Sequence, residues 1–352
     1  MEHKKYIEDI ITNLINQDGS DLHLGALRKP TIRVNGQLIQ MVNQKALTQD
    51  DMIGILKVIL GTEKMEEFLE KKEADFSYTF KEDYHLRCNA FFQQGLIGLA
   101  LRLIPKIKSF EELNLPTVLQ GFTRKKQGFF LVVGPIGQGK STTLSTMIDT
   151  INKERSCHIV TIEDPVEFVY KEDKAIINQR EVGIDTQDFS IALKSVFRED
   201  VNVILIGEMR NLETIASAVT AAETGHLVLS TLHTNNAAQT IDRIIDSFPP
   251  GQQEQVRLQL ASSLLGVFSQ RLVPRISGGR IPAYELLINN NAVANLIREK
   301  RTHEINTVIE TSSGEGMIDM NRSLVDLVSR GEISIENAYQ YSINPKGLER
   351  ML

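Results

Sequence analysis

The spacing of apolar residues changes along this chain, and the changes divide it. Ile7, Ile10, Ile11, Leu14 and Ile15 recur at i, i+3, i+4, i+7 and i+8, which predicts an amphipathic helix ending before Asp18-Gly19. Residues 20–24 alternate as a strand does, and Asn35-Gly36 between two short alternating runs predicts a two-residue hairpin turn. Thr48 followed by Asp51 predicts a capped helix running to Leu60, and residues 63–72 can form another. Two further alternating segments follow, at 85–92 and 96–104. Leu86, Cys88, Ala90 and Phe92 make the apolar face of the first, and Ile97, Leu99, Leu101 and Leu103 that of the second. A turn at Gln94-Gly95 sets Arg87 directly across from Arg102, where two cations repel. Each is then either solvated or paired with a carboxylate, or the two form a forked clamp for an anion.

Periodicity breaks at 105–116, where Phe110, Leu113 and Leu115 form a small apolar anchor. Beyond it, near-continuous apolar runs at 129–133, 158–162, 203–206 and 227–232 alternate with helical segments at 141–152, 188–198 and 212–223. Runs of this kind suit strands buried on both faces, and their alternation with helices predicts a parallel sheet. Helices at 237–246 and 252–269, a strand near 281–288 and a mostly helical tail complete the pattern. The expected organisation is an α+β domain over 1–105, a linker over 106–118, and an α/β domain with a mainly parallel sheet and a helical C-terminal part over 119–352.

Composition narrows the class without adding chemistry. At 352 residues the chain exceeds one ordinary core. Its 41% apolar and 24% charged content is that of a globular protein, and no apolar run approaches the roughly 18 residues needed to cross a bilayer. The N-terminus, Met-Glu-His-Lys-Lys, lacks the apolar core of a secretion signal, so a cytoplasmic location is expected. Cys88 and Cys157 have no C-x-x-C partner, which excludes a cysteine-based zinc module and argues against a disulfide scaffold. A net charge of −6 gives no general reason to bind nucleic acid, and Arg124-Lys125-Lys126 is too short a basic run to change that.

Candidate chemistry begins after the run at 129–133. Gly134, Pro135, Ile136, Gly137, Gln138, Gly139, Lys140 and Ser141 fit G-x-x-x-x-G-K-[ST], with Thr142 opening the helix that follows. Glycines let backbone N–H groups turn onto phosphate oxygens, and the helix N-terminus adds partial positive charge. In this pattern Lys140 reaches the β- and γ-phosphates and Ser141 ligates Mg²⁺. Hydrolysis needs acidic groups at the carboxyl ends of strands adjacent to the phosphate loop, and Glu163 and Glu208 each follow an apolar strand. Either carboxylate is suited to hold Mg²⁺ through water or to orient the attacking water. His226 and His233 bracket the strand at 227–232, too far apart across it to share a metal. His233, at the carboxyl end, is placed to approach a γ-phosphate; His226, at the amino end, suits a structural or subunit-contact role.

Several stretches together resemble a known family. Gly-Pro-Ile-Gly-Gln-Gly-Lys-Ser-Thr-Thr, Thr-Ile-Glu-Asp-Pro-Val-Glu-Phe, Asn-Gln-Arg-Glu-Val, Ile-Gly-Glu-Met-Arg-Asn-Leu-Glu-Thr and Ala-Glu-Thr-Gly-His-Leu-Val-Leu-Ser-Thr-Leu-His-Thr resemble the Walker A, Asp box, following strand, Walker B and His box of secretion ATPases. Within that superfamily the chain is similar to the type IV pilus retraction, or twitching motility, ATPases. The resemblance implies a PAS-like N-terminal domain, a RecA-like ATPase domain and a ring-shaped homohexamer. It implies a cytoplasmic, Mg²⁺-dependent ATPase driving pilus retraction at the inner face of the cytoplasmic membrane through an inner-membrane platform protein, with membrane association through partners only. Carried over by position, Glu163 is the general base, Glu208 the Walker B acid acting on Mg²⁺ through water, and His233 a γ-phosphate sensor. Arg87 and Arg102 match the N-terminal-domain arginines that reach the nucleotide. A pilus assembly or type II secretion ATPase, or a regulatory module that binds nucleotide without hydrolysis, stand as alternatives.

The chain departs from the family at several points. Ile136 and Gln138 stand where Thr and Ser are usual, with both side chains expected to point away from the cradle, and Val201-Asn202 replaces Pro-Asp. Residues 297–301 match the retraction-associated motif only in part. Consistent with retraction, the chain carries no four-cysteine metal insert of the kind common in assembly and type II secretion ATPases.

Overall fold

Alternation in the first third of the chain and continuous apolar runs in the remainder produce two different sheets. The computed structural model describes residues 2–34, 36–81 and 84–352, which divide into two units, Met1–Lys106 and Ile107–Leu352. In the first, helix α1 (His3–Asn16) precedes strands β1 (Gly19–Gly25), β2 (Thr31–Val34) and β3 (Gln37–Gln40). Helices α2 (Gln49–Leu60) and α3 (Thr62–Lys71) follow, then β4 (Glu73–Phe80), β5 (Tyr84–Gln93) and β6 (Leu96–Leu103). The six-stranded sheet has the order β3-β2-β1-β6-β5-β4, antiparallel throughout. Ile7, Ile10, Ile11 and Leu14 of α1 pack into one core with Met52 and Ile55 of α2 and with Leu86, Cys88, Leu99 and Leu101 of the sheet.

Local signals hold at both predicted turning points. Thr48 and Asp51 form the reciprocal capping box of α2. Gln94 (φ 52°) and Gly95 (φ 79°) both take the left-handed backbone that a type I′ hairpin turn requires, and Arg87 is set opposite Arg102. Val34 pairs with Gln37 across the first hairpin; Asn35 itself lies outside the described residues. Strand β4 is an addition to the sequence reading. Its apolar set, Ala74, Phe76, Tyr78 and Phe80, sits on an edge strand that is bonded only to β5 and carries the exposed Glu73 and Asp75, so its alternation is diluted by charge.

The second unit holds α4 (Leu119–Thr123), β7 (Gly128–Val133), α5 (Lys140–Glu154), β8 (His158–Glu163), β9 (Ile176–Glu181), α6 (Phe189–Val196), β10 (Val203–Ile206), α7 (Leu212–Glu223) and β11 (Leu227–Leu232). After these come α8 (Ala237–Asp246), α9 (Pro250–Ser263), β12 (Leu264–Pro274) and β13 (Arg280–Ile288). The tail is α10 (Asn291–Arg298), α11 (Ile305–Thr311), α12 (Met320–Ser329), α13 (Ile335–Tyr341) and α14 (Pro345–Glu349). The seven-stranded sheet has the order β13-β12-β7-β11-β10-β8-β9. Only β13 runs antiparallel to its neighbour. Phe129, Leu131 and Val133 face a core built with α6, α7, α8 and α9. Phe130 and Val132 face a second core with α5, to which Phe110 and Leu115 belong. The segment read as a linker is therefore packed, through its apolar anchor, into this unit. Among the described residues no helix is long and apolar enough to cross a membrane.

One element differs in kind from the sequence reading. The helix expected over 252–269 ends at Ser263, and the chain continues as β12 between β7 and β13. Leu264 to Val273 is short, apolar and buried on both faces, a stretch whose period does not separate helix from strand. What decides is the open edge of β7, whose backbone groups β12 pairs from Leu264 to Ser269. A central strand makes a testable distinction. Phe268 is fully buried and stacks on Tyr284 with ring centroids 5.1 Å apart, so Phe268→Ala is expected to cost about 3–5 kcal/mol in chemical denaturation. Leu258 of α9 is 58% exposed, and Leu258→Ala is expected to stay within about 0.5 kcal/mol of the parent.

Candidate nucleotide-binding site

Parallel pairing brings the carboxyl ends of several strands to one edge. Val133 lies beside Leu232, and Ile206 beside both Ser230 and Ile162, so the residues that follow β7, β11, β10 and β8 emerge together. The order corrects one expectation. Neither acidic strand adjoins the phosphate-loop strand: β11, which delivers His233, lies between β7 and β10, and β8 is one strand further out.

The loop after β7 is shaped by glycine at two demanding positions. Gly134 has φ 145°, and a Cβ there would stand 2.5 Å from the Gln270 carbonyl oxygen of β12. Gly139 has φ 77° and turns the chain into α5. Lys140, the first helical residue, is buried, and its Nζ donates to the carbonyls of Gly134 and Pro135, both at 2.9 Å. His233 Nδ1 lies 3.3 Å from the same ammonium and His233 Nε2 lies 3.8 Å from Glu208 Oε2. With Nδ1 accepting from the ammonium, a neutral ring carries its proton on Nε2, towards the carboxylate. Burial, then the charge of Lys140, hold the His233 pKa below its ordinary value despite Glu208, which keeps the ring neutral at neutral pH. Burial also lowers the pKa of Lys140, opposed by Glu167 and Glu208.

The two carboxylates differ. Glu163 is buried; Thr161 Oγ1 donates to its Oε1 at 2.7 Å and Gln179 Nε2 at 3.4 Å. Burial outweighs these bonds and raises its pKa, making it a stronger base than a solvated carboxylate. Glu208 Oε1 is buried and ion-paired with Arg210, whose Nη2 lies 2.6 Å away. The carboxylate lines the cavity, where it can accept from a water bound to a hard cation. Ser141 and Glu208 line one cavity, and among the described residues no cluster of three His, Cys, Asp or Glu forms a cage. A lone hydroxyl, a carboxylate at the cavity wall and room for phosphate oxygens fit Mg²⁺, which keeps much of its water and relies on its substrate for further ligands.

That cavity, of about 450 Å³, brings together Gly137, Gln138, Gly139, Lys140, Ser141 and Thr142 with Glu163, Glu208 and His233. Ile136 stands at its wall with 83% exposure. Gly134 and Pro135 do not line it; their carbonyls sit behind Lys140. Arg87 and Arg102 belong to the first unit, and there the carboxylate-paired reading holds for Arg102. Its Nε donates to Asp21 Oδ1 at 2.8 Å, from the position directly across on β1. Burial would raise the pKa of Asp21, but the Ser20 hydroxyl and Arg102 outweigh it and hold it low. His226 is structural: Nδ1 lies 3.1 Å from the Ala221 carbonyl at the end of α7, and the ring meets Phe197 edge-on.

The sequence reading missed four buried polar residues around the site. Gln270 Oε1 accepts from Thr143 Oγ1 of α5 at 2.7 Å, and its Nε2 donates to the Gln138 carbonyl at 2.7 Å. Arg271 Nη2 donates to the Asn235 carbonyl and Oδ1 at 3.3 and 3.2 Å, and Ser269 Oγ donates to the same carbonyl at 2.9 Å. Glu285 Oε1 accepts from the Ala237 amide at 2.8 Å. Strands β12 and β13 thus fasten the segment that follows His233. The available signal was Ser269-Gln270-Arg271 inside an apolar run, which becomes meaningful only once that run is a strand.

Comparison with known proteins places the chain. Residues 2–340 match the family model described as type II/IV secretion system protein. The chain belongs to this family. It is 43% identical over 341 residues to a type IV pilus retraction ATPase, PilT, of Pseudomonas aeruginosa, covering 97% of this chain and 99% of that one. It is 43% identical over 321 residues to a twitching motility protein of Neisseria gonorrhoeae, covering 91% and 86%. A crystal structure of the pilus retraction motor PilT with bound ADP superposes with a TM-score of 0.90 at 44% identity, covering 98% of this chain and 99% of that one. The PAS-like and RecA-like domains expected from the sequence are the two folds observed.

Burial pushes the Glu285 carboxyl from an ordinary 4.5 up to about 7, with Asp319 adding to the rise and the Ala237 amide and Arg271 opposing it. The folded state binds this proton more tightly than the unfolded chain, so the contribution is complete below pH 4.5 and is lost as pH climbs to about 7. Glu285→Gln keeps the acceptor for Ala237 and removes the titration. Melting temperatures measured from pH 4.5 to 8 are expected to fall less steeply in the variant, leaving it the more stable protein above pH 7.

Proposed function

We propose that this chain is the motor subunit of a type IV pilus retraction machine, hydrolysing ATP as one member of a homohexamer. The observation that carries the reading is the convergence of Lys140, Ser141, a basic Glu163 and Glu208 on one cavity. The chain is an ATPase, and 43% identity to a retraction ATPase over 97% of the chain supports the direction of force. It acts in the cytoplasm against an inner-membrane platform protein and reaches the membrane through that partner alone.

Each residue has a definite task. The loop amides from Gly137 to Thr142 and the start of α5 receive phosphate oxygens. Lys140 exchanges its two carbonyl acceptors for the β- and γ-phosphates, a favourable move for a cation held among neutral dipoles. Ser141, with Glu208 through water, would hold Mg²⁺, which neutralises charge developing on the phosphates. Glu163 accepts a proton from the attacking water, and Thr161 and Gln179 keep its carboxylate oriented. Neutral His233 presents Nε2–H beside the site and registers a γ-phosphate without adding a second cation next to Lys140.

Lys140→Ala is expected to abolish phosphate release by removing nucleotide binding. Glu163→Gln is expected to lower turnover by about 10²–10⁴ while ATP binding persists. Near-parental phosphate release from purified Glu163→Gln protein would overturn the base assignment. Deleting the gene is expected to leave cells hyperpiliated and unable to twitch; loss of pili would instead mark an assembly motor.

A further inference from the structure

Beyond Val133 the phosphate loop leaves the sheet, while β12 continues from Ser269 to Pro274. The edge of β12 that faces the loop therefore runs past its last strand partner on that side, beside a loop in which Gly134, Gly137 and Gly139 all take positive φ. Backbone groups without partners and a glycine-softened loop are both costly in this position. Two glutamines close the gap. Gln138 Oε1 accepts from the Leu272 amide of β12 at 2.6 Å, replacing the strand that is no longer there. Gln270, 2% exposed, answers from β12: its Nε2 holds the Gln138 carbonyl and its Oε1 holds Thr143 of α5. Loop, strand and helix are joined by three reciprocal bonds around one point.

We propose that Gln138 and Gln270 form a clip that holds the phosphate loop in its receiving shape, which makes them positioning residues for nucleotide binding. The side chain of Gln138 is occupied with β12, so it orders the loop from behind. A serine here is two carbons too short to span to Leu272, so the strut is a property of this chain's own loop sequence. The effect is preorganisation: amides already aligned for phosphate need not be ordered when nucleotide arrives. The proposal rests on the reading of the cavity as a nucleotide site.

The test uses the full-length protein, ADP binding by calorimetry, and hydrogen exchange at the Leu272 amide. Gln138→Met, of similar length but without the acceptor, and Gln270→Met are each expected to raise the Kd for ADP roughly three- to tenfold, one hydrogen bond's worth. The double variant is expected to show less than the product of the two effects. Leu272 is expected to exchange faster in Gln138→Met and to regain protection in Gln138→Glu, which restores the acceptor oxygen. Unchanged Leu272 exchange in Gln138→Met, fully multiplicative effects, or a lower melting temperature with an unchanged Kd would each overturn the clip. Failure of the parent protein to bind ADP would sink the nucleotide reading instead, and Leu272 exchange, which needs no nucleotide, would still decide the clip. Should Gln270→Met not fold, Gln138→Met decides it alone through both readouts.

Discussion

Backbone pairing between parallel neighbours is the constraint on which the site depends. Because β7, β11, β10 and β8 run the same way and in matched register, their carboxyl ends finish at one edge. Lys140, His233, Glu208 and Glu163 are separated by as much as 93 residues in sequence, yet each needs only to follow its strand to arrive there. The parallel arrangement requires helical crossovers, which bury both faces of the sheet and make its strands uniformly apolar. The chemistry is thus gathered at the carboxyl ends of these strands: Glu163 closes β8, Glu208 and His233 follow β10 and β11, and Lys140 opens the helix after β7.

Burial then tunes those residues in different directions. Desolvation acts against charge on three of them: it weakens the proton affinity of Lys140 and His233 and strengthens that of Glu163. A neutral histidine adds no charge beside the buried lysine, and a buried carboxylate becomes a better base. Placing a second cation or a solvated carboxylate at these points would blunt both effects. The same physics reaches the supporting shell, where Glu285 caps α8 from a buried position at the expense of a raised pKa.

Much was legible in the residues themselves. The phosphate loop, the two carboxylates, His233 and the hairpin that opposes Arg87 to Arg102 rest on short-range patterns, and each is where local spacing puts it. Helix starts at Thr48 and the amphipathic α1 are equally local. Three features were not legible for one shared reason. Strand β4, strand β12 and the position of β11 between the phosphate loop and the acidic strands all depend on which distant segment completes an open sheet edge.

The sequence by itself determined the chemical inventory and its order, because phosphate binding by backbone amides and hydrolysis by a carboxylate impose residue types at fixed short spacings. Only the tertiary structure decided how that inventory is held. Residues 264–274 carry no period that distinguishes helix from strand; they become a strand because β7 has unpaired backbone groups to satisfy. Gln138 offers a polar side chain and no visible reason for it until Leu272 is brought alongside. Asp21 is one more acidic residue on an alternating strand until the antiparallel register sets it across from Arg102. Local patterns specify what a residue can do, and long-range backbone pairing specifies what it meets.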